Sequence, residues 1–461
     1  MSTSTTLDIR GFLNERKMSP YQWVLGVLCF FIAALDGMDV AIMGFVAPDI
    51  IKEFGVSRPA FGVVMGAGPL GLLFGALVAG PIADYLGRRT VLLVAALGMG
   101  IFCIATGLTT DIGSMSTLRI VTGFFLGAAM PVTITLCSEY VPDKSRSFLI
   151  ATMFTGFNLG SGVIGFIAAG LIPAFGWRSV LYFGGIVPLV LLVFLLFLLP
   201  ESARYMVARG YAMDKIRKTL ERVTSASLGA YQNFVVIEEK ASSSVPFKVI
   251  LSGPYILRTL TLWATYFGGL VCIYLTTSWL PTMMKDAGMT IERAASITAM
   301  FQIAGTFSAI LVGLAMDRWH PNRIVGGTYF LAAVCLVLLG LAGLLSPWVV
   351  VLVSAVGFCL SGAQTGLNAF APRCYPTVAR STGVGWMMGV GRLGSIFGSS
   401  IGGVLISGGW GSQGIFIALA VPACVAAVAI VLNGYAMQSA EADAKANAAP
   451  ALGDRPSARP A

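Results

Sequence analysis

Twelve runs of apolar residues, each about twenty long, are separated by short polar stretches along the chain. They fall at roughly 23–47, 59–83, 90–110, 115–138, 148–172 and 179–199. After a longer polar interval they resume at roughly 258–281, 292–316, 324–345, 348–370, 382–407 and 411–436. The runs do not alternate apolar with polar, as a membrane β-strand of about ten residues would. About twenty apolar residues is the length a helix needs to cross hydrocarbon. A chain in lipid must satisfy its own backbone hydrogen bonds, and a helix does so within one segment. The pattern therefore predicts an all-α membrane protein with twelve transmembrane helices in two six-helix bundles, residues 23–199 and 257–437. Residues 1–22 are read as a cytoplasmic N-terminal segment, and 200–256 as a cytoplasmic linker. Residues 438–461, rich in Ala, Pro and charge, are expected to be disordered.

Within the linker, Ser202 to Val223 has the spacing of an amphipathic helix on the inner membrane surface. Met206, Ile216, Leu220 and Val223 are expected to face lipid, with Arg217 and Lys218 facing water or headgroups. The first apolar run is too long for a cleaved signal peptide and lacks a small-residue cleavage site, so it is read as a retained span.

Composition agrees with lipid as the solvent: 56% of the residues are hydrophobic and 11% charged, against about 25% charged in soluble domains. The 55 glycines suit close helix contact in a membrane. The net charge of +9 raises the question of nucleic acid, but its distribution answers it. With the N-terminus inside, 23 of the 30 Lys and Arg fall in cytoplasmic segments. Five lie in external loops (Lys52, Arg58, Arg178, Lys285 and Arg293), and Arg119 and Arg392 lie within spans. This bias places both termini in the cytoplasm, with the lipid bilayer and not nucleic acid as the partner. The eight cysteines show no CxxC spacing, so free thiols and no metal site are expected.

The two halves repeat. The loop after span 2 reads Gly80-Pro-Ile-Ala-Asp84-Tyr-Leu-Gly-Arg88-Arg89, and the loop after span 8 reads Gly313-Leu-Ala-Met-Asp317-Arg318 followed by Arg323. The offset between Asp84 and Asp317 is 233 residues. Parallel repeats of six spans are a transporter architecture, with a site near the midplane between them. These loops and the span count resemble the major facilitator superfamily over about residues 20–436. Narrower features are Asp36-Gly-Met-Asp39 in span 1, Pro200-Glu-Ser-Ala-Arg204 after span 6, and Tyr375-Pro-Thr-Val-Ala-Arg380-Ser-Thr-Gly-Val-Gly-Trp386 leading to Gly391-Arg392. They resemble the aromatic acid:H⁺ symporter family, especially its 4-hydroxybenzoate and protocatechuate carriers. The resemblance implies a major facilitator fold in the cell inner membrane. It also implies a small aromatic carboxylate as substrate, feeding aromatic catabolism. No cofactor is expected beyond the proton as coupling ion, and the carrier is expected to act as a monomer.

Asp36 and Asp39 stand near the middle of span 1 and, three apart, share one helix face. A charge there costs at least about 2.5–3.5 kcal/mol on insertion scales. Two carboxylates in so poorly solvated a site cannot both ionise easily, and a carboxyl that exchanges its proton near neutrality is what proton coupling needs. The resemblance implies that the pair is required for transport. A structural pairing with an Arg is the competing reading. Gly37 between them allows a close helix contact. Arg392, near the middle of span 11, stays charged at any relevant pH and needs a carboxylate, from Asp36, Asp39 or the substrate. Arg119 lies in the outer third of span 4, as a second candidate for the substrate or as a side chain that snorkels outward.

Further candidates for substrate contact are Asn158, Tyr266, Gln302, Gln364 and Trp386, although intramembrane amides are more often interhelical glue. Tyr266 belongs to a span 7 face with Trp263, Phe267, Leu270 and Tyr274, which is either packing or a ring pocket. Trp279 and Trp386 also suit interfacial belts. Gly80, Asp84, Arg88, Arg89, Glu139, Arg146, Asp317, Arg318 and Arg380 are assigned to cytoplasmic gating clusters rather than to substrate.

Residues 66–71 and 389–394 match G-x-G-x-x-G but lie inside spans, with no βαβ context, so dinucleotide binding is discounted. There is no nucleophile–base set or metal-ligand cluster, which argues against an enzyme. A carrier for another organic anion or a sugar, and a proton-coupled drug exporter, stay open as alternatives.

Overall fold

The computed structural model describes residues 6–229, 231, 233–235, 246–376 and 379–448. Twelve of its helices are long and apolar enough to cross a membrane. Spans 1 to 6 are Pro20–Phe54, Arg58–Leu86, Arg88–Gly107, Ile112–Tyr140, Asp143–Phe175 and Arg178–Leu198. Spans 7 to 12 are Gly253–Asp286, Ile291–Arg318, Pro321–Ala342, Val349–Phe370, Arg380–Ser407 and Ser412–Ala448. Many extend beyond the apolar runs, because a helix continues through polar flanks until a stop signal. Span 1 starts at a capping box, in which Gln22 N–H donates to Ser19 Oγ at 3.1 Å and Ser19 N–H to Gln22 Oε1 at 2.7 Å. It ends at Gly55, whose φ of 61° suits glycine.

The packing repeats along with the sequence. Span 1 packs on 5, 2 on 4, and 3 on both 4 and 6; in the second half, 7 packs on 11, 8 on 10, and 9 on both 10 and 12. Between the halves, span 5 meets 8, span 2 meets 11, and span 1 meets 7. The close contacts across this seam lie away from the face that carries the N-terminal segment and the linker. Asp49 pairs with Lys285, and Arg58 with Asp286 at 2.7 Å. Gly62 abuts the Ser400 carbonyl, and Gly44 the Thr277 carbonyl. Toward the terminal face, Gly80 and Gly313 meet open space. The close contacts that hold the two halves together thus lie on the far face.

The linker departs from the expectation of one lipid-facing helix. It forms two helices, Ala203–Ala208 and Met213–Thr224, separated at Gly210, where φ is 66°. Met206, Ile216, Leu220 and Val223 are buried against protein, not lipid. Spacing reveals an apolar face but not what covers it. Here Ser19 Oγ donates to the Val223 carbonyl, and Arg222 lies over the Tyr21 ring. A two-stranded parallel ladder, Thr6–Asp8 with Asn233–Val235, ties the N-terminal segment to the linker. The short helix Ile9–Asn14 then docks through Asn14, which donates to Asp143 Oδ2 at 2.6 Å, and through Arg10, 3.1 Å from Asp143 Oδ1.

Span 12 continues as a helix to Ala448, past the start of the expected disordered tail. Its alanine-rich extension favours helix. The rest of that tail lies outside the described residues. All eight cysteines are free thiols.

Candidate functional site

The charged groups of the membrane interior gather where spans 1, 4, 7 and 11 approach one another. Span 1 brings Asp36 and Asp39, and Gly37 sets their depth: a Cβ there would overlap the Phe157 carbonyl of span 5. The two helices touch backbone to backbone at this turn, and Ser161 Oγ donates to the Gly37 carbonyl at 2.6 Å. Asn158, next to Phe157, is buried in the same contact region.

The two aspartates have different surroundings. Asp39 receives a two-pronged grip from Arg119 of span 4. Nη1 donates to Oδ1 at 2.8 Å and Nη2 to Oδ2 at 2.6 Å, with both residues buried. This bidentate geometry gives two parallel charge-assisted hydrogen bonds. Arg119 therefore turns inward rather than snorkelling to the outer interface, because a buried carboxylate stands within its reach. Asp36 is 2% exposed, and its Oδ1 has no hydrogen-bond partner. It lies within electrostatic reach of Arg392 but forms no ion pair with it.

Arg392 stands half-buried on span 11, and its Nη1 donates to the Tyr274 hydroxyl at 3.3 Å. No carboxylate among the described residues pairs with it. A cavity in the seam is lined by Asp39, Arg119, Tyr274, Ser278 and Ser399. The cluster therefore holds one satisfied ion pair, one carboxyl without a partner and one guanidinium that keeps donors free.

The second half supplies polar and aromatic groups. The span 7 face packs on span 11. Trp263 stacks on Trp386 with ring centres 6.2 Å apart, and the Tyr266 ring lies on Gly391, beside Arg392. Gln302 Nε2 donates to Thr277 Oγ1 at 3.2 Å, while the Tyr329 hydroxyl donates to Gln364 Oε1 at 2.7 Å. Trp279 is fully buried, unlike an interfacial belt residue, and its Nε1 donates to the Ser399 carbonyl at 2.7 Å. Gly402 and Gly403 of span 11 leave the room it fills.

At the terminal face the first gating loop is latched. Arg88 pairs with Asp84 at 2.7 Å and approaches Glu139 at 3.6 Å. Glu201 accepts the backbone N–H of Arg88 at 2.9 Å and of Arg89 at 3.2 Å. Arg89 turns to the Leu196 carbonyl at 2.6 Å, and Arg146 to Asp143 at 2.7 Å, so neither joins the Glu139 cluster by an ion pair. In the second copy, Asp317, Arg318 and Arg380 are exposed and form no ion pair among the described residues.

Sequence reasoning missed Tyr274 as the partner of Arg392, and it missed the ion pairs across the far face. The signal for those pairs was present: Asp49 and Asp286 stand beside the Lys and Arg residues that break the inside-positive bias.

Residues 29–391 match the profile of the Major Facilitator Superfamily. The chain belongs to the major facilitator superfamily. This is a superfamily of membrane carriers rather than of enzymes, and the protein is a multi-pass membrane protein. It is 49% identical to a gallate transporter of Pseudomonas putida over 93% of this chain and 96% of that one. It is 46% identical to the 4-hydroxybenzoate transporter PcaK of Pseudomonas aeruginosa, again over 93% and 96%. Among solved structures, a D-xylose-proton symporter superposes with a TM-score of 0.69, covering 90% of this chain and 97% of that one, at 17% identity. That likeness concerns the major facilitator fold alone.

Proposed function

We propose that this carrier imports a small aromatic carboxylate of the hydroxybenzoate class together with protons, by alternating access across the cell inner membrane. The observation that carries the reading is full-length similarity to carriers named for gallate and 4-hydroxybenzoate. The bias of Lys and Arg toward the terminal face supports cytoplasmic termini. On that reading the contacts that join the halves on the far face lie at the exterior side.

The roles follow from which charges are already satisfied. Arg119 is already charge-paired with Asp39, so the substrate carboxylate goes to Arg392. In the empty carrier, Arg392 offsets the charge of nearby Asp36. When the substrate anion takes over the guanidinium, Asp36 loses that compensation and takes a proton. Loaded and empty carriers then both hold a balanced set of buried charges, and both can switch between faces. A carrier with substrate but no proton, or a proton but no substrate, would be unbalanced and would switch poorly. Tight coupling results.

The test is uptake of labelled 4-hydroxybenzoate and gallate into vesicles reconstituted with the protein, under an imposed inward proton gradient. Accumulation that a protonophore abolishes is expected. Absence of uptake for every aromatic acid tried rules out the substrate class; uptake indifferent to the gradient rules out the coupling.

A further inference from the structure

Gly269 of span 7 occupies the position that the 233-residue repeat makes equivalent to Asp36. Where the first half places a carboxyl, the second half leaves a gap, and two side chains fill it. A Cβ at Gly269 would overlap both the Tyr329 hydroxyl and Gln364 Oε1. These two are bonded to each other at 2.7 Å, the tyrosine donating. That bond fixes the amide: the oxygen is committed, so Nε2 is presented as a donor. Gln364 is 8% exposed, yet its Nε2 has no hydrogen-bond partner. One turn further along span 10, Asn368 Oδ1 is also buried without a partner. Residues four apart share a helix face, so an unused donor and an unused acceptor lie side by side.

Buried polar atoms left unpaired are costly, which calls for something that satisfies them. A hydroxyl both accepts and donates, and so meets both needs at once. Tyr266 ties the pair to the charged centre. Its phenol approaches the Gln364 and Asn368 amides closely enough to interact with them, yet it makes no hydrogen bond that satisfies Gln364 Nε2 or Asn368 Oδ1, and it lies within reach of the Arg392 charge. Its ring rests on Gly391, the neighbour of Arg392. A flat aromatic acid along Tyr266 would have its carboxylate at one end and its ring hydroxyl at the other.

We infer that Gln364 and Asn368 form the subsite that reads ring hydroxyls, with Gln364 Nε2 donating to the phenolic oxygen and Asn368 Oδ1 accepting its proton. The inference rests on the proposed transport of aromatic carboxylates. It makes these residues the source of preference for hydroxylated over plain benzoate.

The experiment compares kcat/KM for 4-hydroxybenzoate and benzoate within each variant, so that differences in protein amount cancel. Asn368→Leu removes the acceptor. Gln364→Met is combined with Tyr329→Phe so that no hydroxyl is stranded, and Asn368→Ala serves if the leucine variant does not fold. The 4-hydroxybenzoate:benzoate ratio is expected to fall by about tenfold in each, as for one lost hydrogen bond. A ratio unchanged in all of them overturns the assignment. So does a ratio that collapses with Gln302→Leu instead. A wild-type protein that carries both acids without preference removes the subsite and leaves the transport reading intact. A wild-type protein that carries neither removes the transport reading itself.

Discussion

Lys285 at the end of span 7 closes onto Asp49 at the end of span 1, across the seam between the two halves. Its neighbour Asp286 takes Arg58 of span 2 at 2.7 Å. Consecutive residues of one helix thus grip two helices of the other half with opposite charges. These side chains are about a quarter to two-fifths exposed, so each pair is worth about 0.2–1 kcal/mol. Lys285→Glu, which turns attraction into repulsion, should shift the carrier several-fold toward the state open on the far face. A thiol-reactive probe on a cysteine placed in the closed seam should then react faster. Asp49→Lys combined with Lys285→Glu should bring the rate back toward wild type. No rescue by the swap would mean that the pair does not hold the gate.

Asp36→Asn should abolish accumulation against a gradient while leaving exchange of labelled for unlabelled acid measurable. Uptake by this variant should no longer rise as the external pH falls. The amide cannot take up the proton whose arrival otherwise restores charge balance. Gradient-driven accumulation that survives in Asp36→Asn would move the coupling role to another residue.

The Arg119–Asp39 pair is predicted to be structural first. Removing one partner strands a buried charge and should cost about 3–5 kcal/mol of stability, seen as a lower melting temperature in detergent. Arg119→Lys should also be harmful, because an ammonium cannot reproduce two parallel hydrogen bonds. Asp39→Leu with Arg119→Leu should recover much of the stability without restoring transport. Equal melting temperatures for the single and double variants would contradict this.

Gly37→Ala is predicted to destabilise by about 1–3 kcal/mol, as overpacking does, because the atom it meets is a backbone carbonyl of span 5. Gly170→Ala, where the space is open, is the matched control. Thermal denaturation of both in the same detergent provides the comparison.

The sequence made the membrane spans readable because a solvent as uniform as lipid imposes a uniform rule on every helix. It also drew attention to Asp36, Asp39, Arg119 and Arg392, since any ion at that depth is conspicuous. What it hid was the pairing. Asp39 and Arg119 lie 80 residues apart, and no local pattern indicates that Arg119 takes Asp39 rather than Asp36. The same holds for Leu220 and Val223, whose spacing revealed a buried face but not that protein, instead of lipid, would cover it. Trp279 was misjudged for a related reason: the room it fills comes from Gly402 and Gly403, on a helix more than a hundred residues away.

The ladder between Thr6–Asp8 and Asn233–Val235 has a practical consequence for anyone attaching a reporter. Thr6–Asp8 is not a loose segment but a strand with a neighbour, and the chain is anchored again through Asn14 to Asp143. A fluorescent or affinity fusion joined directly to Thr6 would tug on the linker with every movement of the probe. Placed there, it would serve less as a label than as a sensor of whether the linker is seated.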